Sequence, residues 1–160
     1  MKSYFILDCD KQQRIADSLY GYYVGITSHN KPKEFWTHLT RKQIKDYFAI
    51  PNLEIKNWFD SLGLKVRDIS WTIYSDNTKT DMHTDEPPVI AKINFPVLNT
   101  DDTYNVWFDN DAKEIARVEC TQPIVLRSNI PHTVEMGSTA KYPRLQFSFC
   151  FYNEPLHLLR

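Results

Sequence analysis

The sequence predicts a mainly β chain, a jelly roll with N-terminal helices packed on one of its sheets, and three observations carry that expectation. Hydrophobic periodicity is helical up to about residue 66 and alternates in steps of two beyond it. The alternating region breaks into roughly seven or eight short runs separated by polar turns, the spacing of a barrel or sandwich. Aromatic residues make up 14% of the chain, which favours β packing over a helical bundle.

The helical part comes first. "DKQQRIADSLYGYY" places Ile15, Leu19 and Tyr22 on one helical face, with Asp10 as an N-cap. "HNKPKEF" reads as a loop. Thr40 caps "RKQIKDYFAI". Pro51 is expected to open "PNLEIKNWFDSLG", where Leu53, Trp58 and Leu62 repeat helically and Gly63 ends the helix.

The strands follow. In "RDISWTIYS", Ser70, Thr72 and Tyr74 share one face against Trp71 and Ile73. "VIAKINFPV" sets Ala91, Ile93 and Phe95 opposite Lys92 and Asn94. "YNVWFD", "EIARVEC", "PIVLRS" and "HTVEM" are short and strand-like. "PRLQFSFCFY" alternates most clearly, with Leu145, Phe147, Phe149 and Phe151 apolar and Arg144, Gln146 and Ser148 opposite them. The apolar face is expected to meet the helices and the polar face to look between the sheets. An arginine buried there requires an anionic partner.

A chain of 160 residues is expected to form a single domain, 1–160, with 1–66 mostly helical and 67–152 as the jelly-roll core. A net charge of −1 argues against a dedicated nucleic-acid binder. Cys9, Cys120 and Cys150 are odd in number and lack CxxC spacing, so they read as reduced, buried thiols in a cytoplasmic protein. No apolar run reaches membrane-spanning length, and the N-terminus lacks the pattern of a cleaved signal. Four glycines leave little room for a glycine-rich phosphate loop.

The chemistry concentrates in "DMHTDEPPVIAKINFPV". On a strand, His83 and Asp85 would point to the same side, where an imidazole and a carboxylate suit a metal ion or an ordinary hydrogen bond. His132 follows a proline turn in "SNIPHTVEM", and Arg144 comes 12 residues later. Two histidines and one carboxylate form the facial set that leaves positions open on a non-haem Fe(II) ion.

In the order HxD…H…R, carried by "HTD" at 83–85, "PH" at 131–132 and Arg144, the sequence resembles the Fe(II)/2-oxoglutarate-dependent oxygenases. The resemblance spans about Asp68 to Tyr152 and implies a double-stranded β-helix, the family's form of the jelly roll. It implies that His83, Asp85 and His132 bind iron and that Arg144 pairs with the distal carboxylate of 2-oxoglutarate. It also implies that O2 is consumed and that hydroxylation of a C–H bond accompanies release of succinate and CO2. Gln146 stands where many members carry serine or threonine, with Ser148 two residues on. Tyr74, Asn94, Gln146 and Ser148 are candidate hydrogen-bond partners of the cosubstrate. Lys92 is a rival anion anchor, but a strand-edge lysine is expected to face solvent.

Expected substrates are a small molecule or an exposed protein side chain, with loops 76–82 and 98–104 as the available lid. The demethylases of nucleic acids carry a second arginine six residues after the first; Cys150 stands there, against that branch. Zinc hydrolysis lacks a general base and leaves Arg144 without a role. A non-catalytic jelly-roll binding or structural module is the alternative from another class. His29, His38 and His157 read as surface residues, and Trp36, Trp58 and Trp71 as core. Trp107 fits either the core or the pocket mouth.

Overall fold

The computed structural model describes residues 2–27, 36–76 and 81–159. Within them the chain forms three α-helices, α1 (Gln12–Thr27), α2 (Arg41–Phe48) and α3 (Glu54–Ser61). Nine strands accompany them: β1 (Tyr4–Ile6), β2 (Trp36–His38), β3 (Val66–Tyr74), β4 (Ala91–Leu98), β5 (Thr103–Phe108), β6 (Glu114–Glu119), β7 (Ile124–Arg127), β8 (His132–Met136) and β9 (Arg144–Phe151). The predicted jelly-roll strands are all present, within two residues of the expected ends. The expectation for the N-terminal part missed β1 and β2. Each is three residues long, too short to show a period, and each is an edge strand held by one neighbour.

The strands form two antiparallel sheets, one ordered β1-β7-β4-β9-β3-β2 and the other β6-β5-β8. From β4 to β9 the chain moves from the large sheet to the small one and back, twice. This brings β9, last in sequence, to the middle of the large sheet between β3 and β4.

Strand alternation decides what each face of the large sheet meets. Ile93, Phe95, Leu145, Phe147 and Phe149 are fully buried against Ile15 and Leu19 of α1 and Ile55 and Phe59 of α3. The Phe59 ring meets those of Phe149 and Phe151 edge-on, at 5.0 Å each. Burying one such side chain contributes roughly 1.5–3 kcal/mol, so this layer anchors β9 and its polar face follows. Trp71 lies in the same core, as expected, and Trp58 packs on its margin.

The helices have the ends their sequences require. Thr40 Oγ1 accepts from the Gln43 amide and Gln43 Oε1 from the Thr40 amide, closing a capping box. After α3, Gly63 adopts φ 71°, and the Leu64 amide reaches back to Phe59 O at 3.0 Å, satisfying carbonyls that the helix leaves open. Pro51 does not open α3: it sits with Asn52 (φ 56°) in the preceding turn, and Leu53 is the N-cap. The cysteines are free, but only Cys120 is buried; Cys9 and Cys150 are half-buried. Among the described residues no helix is long and apolar enough to cross a membrane.

Candidate metal centre and cleft

His83 and His132 meet through the backbone before they meet through their rings. Their amides and carbonyls exchange two hydrogen bonds of 3.0 and 2.9 Å, an isolated antiparallel bridge at the start of β8. Two residues on, the Asp85 amide donates to Ser128 O at 2.7 Å. The shared strand expected for His83 and Asp85 is reduced to this single bridge, and Asp85 lies in the irregular segment before β4. The side chains still converge, because both anchor points belong to the chain around β7 and β8.

Asp85 Oδ1 lies 3.7 Å from His83 Nε2 and 3.7 Å from His132 Nε2. That is too long for a hydrogen bond. Two ligand bonds of about 2.1 Å span at most about 4.2 Å, so one ion can bridge each pair. All three ligand atoms lie within 4.8 Å of one another, and no other such cluster occurs among the described residues. The Nδ1 atoms face backbone carbonyls, Asp81 O at 2.9 Å and Ile130 O at 2.8 Å. Each Nδ1 therefore carries the proton, leaving the Nε2 lone pair toward Asp85, the tautomer a metal requires.

Electrostatics prepares the same state. Burial, with the nearby Lys92 charge, pushes the His132 pKa down to about 4, so the imidazole is neutral at physiological pH. Burial works to raise the Asp85 pKa, but the Lys92 charge and hydrogen bond outweigh it, and the carboxyl stays below its usual range. Burial pushes the Cys150 thiol up to about 11, so it offers no thiolate to compete as ligand.

The cluster opens on a cleft of about 560 Å³ between the two sheets. The large sheet supplies Ser70, Thr72, Asn94 and Ser148, and the small sheet Asn105 and Thr133. Tyr74 and Gln146 also line it, so four of the expected cosubstrate contacts share one wall. Ser148 Oγ donates to Asn94 Oδ1 at 2.8 Å, while Gln146 and Tyr74 contact the arginine.

Arg144 is fully buried, as its place on β9 predicts, and does not itself line the cleft. Its Nη2 donates to Gln146 Oε1 at 2.8 Å, its Nε reaches Thr103 Oγ1 at 3.4 Å, and its guanidinium lies 5.5 Å from the centre of the Tyr74 ring. Nη1 has no partner among the described residues, and none of their carboxylates pairs with the cation. An unpaired charge at this depth is unfavourable unless an anion arrives.

Several expectations fail at the rim. Lys92 does not face solvent: it lines the cleft and donates to Asp85 Oδ2 at 2.7 Å. Trp36 is not core but 47% exposed at the cleft edge, since β2 borders the large sheet with no strand beyond it. His38 is exposed, as expected, and lines the same edge, 3.5 Å from Asp68. Trp107 is wholly buried away from the cleft, stacked on Tyr4 at 5.2 Å and donating to Arg127 O at 2.9 Å. His157 is exposed, as expected. His29 and positions 77–80 of the expected lid lie outside the described residues.

No protein-family model matches the sequence, and no curated protein matches it. Solved structures do match. HygX from Streptomyces hygroscopicus, in a structure with nickel and 2-oxoglutarate bound, aligns over 92% of this chain and 81% of its own, with a TM-score of 0.59 and 8% identity. A prolyl-4-hydroxylase from Pseudomonas putida aligns over 93% and 91%, with a TM-score of 0.57 and 14% identity. The chain has the fold of the 2-oxoglutarate-dependent oxygenases. AviO1 from Streptomyces viridochromogenes Tue57 aligns over 94% of this chain and 90% of its own, with a TM-score of 0.54 and 7% identity. At such identities the likeness is one of fold. The donors of the site are therefore judged on their own chemistry: two imidazoles and a carboxylate fit a divalent first-row metal, and a buried cation with no carboxylate partner among the described residues fits a carboxylate ligand.

Proposed function

We propose that the chain is an Fe(II)- and 2-oxoglutarate-dependent oxygenase that hydroxylates a C–H bond of a small molecule or of a protein side chain. The observation that carries this reading is one cleft that runs from a two-histidine, one-carboxylate cluster to Gln146, behind which Arg144 lies buried with no carboxylate partner among the described residues. The two sheets are read as the double-stranded β-helix, with the His83 bridge as the fourth strand of the small sheet. Residues 67–152 form its core within one domain, 1–160, which is assigned to the cytoplasm.

His83, Asp85 and His132 hold the metal. Bound there with 2-oxoglutarate and O2, Fe(II) supplies the oxidising chemistry, with succinate and CO2 as the coproducts. Arg144 receives the distal carboxylate of 2-oxoglutarate, which replaces the Gln146 Oε1 contact and gives Nη1 the acceptor it lacks among the described residues. Gln146 and Tyr74 line the approach to the guanidinium, and Asn94 and Ser148 carry the polar wall from there toward the metal. The substrate lies toward the β2 edge of the cleft, which Ser70, Thr72, Trp36 and His38 line.

Anaerobic titration with Fe(II) and 2-oxoglutarate tests the assignment. The expected result is a visible charge-transfer band that requires both components and vanishes in His132→Ala. A folded protein that binds neither would instead be a non-catalytic jelly-roll module.

A further inference from the structure

The ion pair between Lys92 and Asp85 divides the carboxylate. Oδ2 accepts from Lys92 Nζ at 2.7 Å, while Oδ1 faces both imidazole Nε2 atoms at 3.7 Å. The lysine is held from both ends. Its Cα is paired with Leu126 on β7, its side chain is only 16% exposed, and Asp85 is the sole acceptor of its ammonium among the described residues. A carboxylate without such a partner can give a divalent ion one oxygen or two.

We propose that Lys92 is a positioning residue that restricts Asp85 to one-oxygen ligation, keeping open a coordination position that Oδ2 would otherwise fill. The inference rests on the metal reading above. It extends that reading, because the cosubstrate and O2 both need positions on the ion. It also sets the sign of the effect on affinity. The ammonium opposes a nearby divalent cation and withholds one donor oxygen, so its removal tightens metal binding. A lysine that merely oriented the carboxylate would do the reverse, since losing an outer-sphere partner ordinarily weakens metal affinity, on the order of 10–100-fold.

Mn(II) alone is the probe, with its bound waters counted by pulsed electron paramagnetic resonance in D2O and its Kd measured by titration. An octahedral ion with three protein donors keeps three waters in the wild type. Lys92→Met is expected to keep two waters and to bind Mn(II) about tenfold more tightly, the scale of outer-sphere effects. Lys92→Arg restores the wild-type count. Equal counts in wild type and Lys92→Met overturn the inference, as does loss of Mn(II) binding in a folded Lys92→Met protein. Should that variant not fold, two waters already present in the wild type overturn it. Absence of any Mn(II) binding by the wild type is a separate result, which removes the metal reading and this inference with it.

Discussion

His132 is the most buried of the three candidate ligands, its side chain 7% exposed against 21% for Asp85 and 45% for His83. Its imidazole is protonated near pH 6.5 when unfolded but only near pH 4 in the fold. Between those values the unfolded chain binds the extra proton, so stability rises with pH through that window. The contribution is fully present above about pH 6.5 and lost as pH falls to about 4; at full size it is roughly 3 kcal/mol. Denaturant titrations of the metal-free protein at pH 4, 5, 6 and 7 measure it, and the slope should shrink in His132→Ala. Arg144 presents the opposite balance. With no carboxylate partner among the described residues, this buried cation is expected to cost the ligand-free fold stability, and an apolar side chain of similar reach to recover about 1–4 kcal/mol, the scale seen when buried charges are replaced by apolar residues. Arg144→Met is therefore expected to raise the melting temperature of the ligand-free protein while abolishing 2-oxoglutarate binding. A lower melting temperature with unchanged affinity would remove the arginine from the cosubstrate site.

Among the elements, β9 connects the core to the cleft, because its alternate residues meet the helices on one face and the opposite sheet on the other. Phe149→Ala removes a ring packed on Phe59 and is expected to destabilise the fold by about 3–5 kcal/mol, read from the urea midpoint. The alternation of β9 is legible in the sequence because eight consecutive residues keep a period of two, and Arg144 is placed correctly for that reason. Trp36, His38 and Lys92 are not legible in the same way. A tryptophan ordinarily signals core, and nothing near residue 36 shows that β2 is the last strand of its sheet. Lys92 lies on a strand whose alternation is clear, but a lysine turned inward becomes favourable only through Asp85, whose position depends on the Ser128 and His132 contacts. Local pattern shows the face a residue takes; its partner across the fold is set by loop geometry.

For the whole molecule, the expected packing of helices on one sheet holds because the apolar face of the large sheet had to be covered, and α1 and α3 cover it. The backbone bridge between His83 and His132 attaches these two candidate ligands to the small sheet, while Arg144 and Gln146 belong to the large one. A molecule of 2-oxoglutarate bound at both ends would therefore act as a rivet through the two layers. Hydrogen–deuterium exchange should register that difference. Metal alone should slow the amides around residues 83–85 and 132, whereas metal with 2-oxoglutarate should also slow β5 and β9 as the layers lose their freedom to part. Equal protection under both conditions would mean that 2-oxoglutarate stays on one layer, and the protein would breathe as freely loaded as empty.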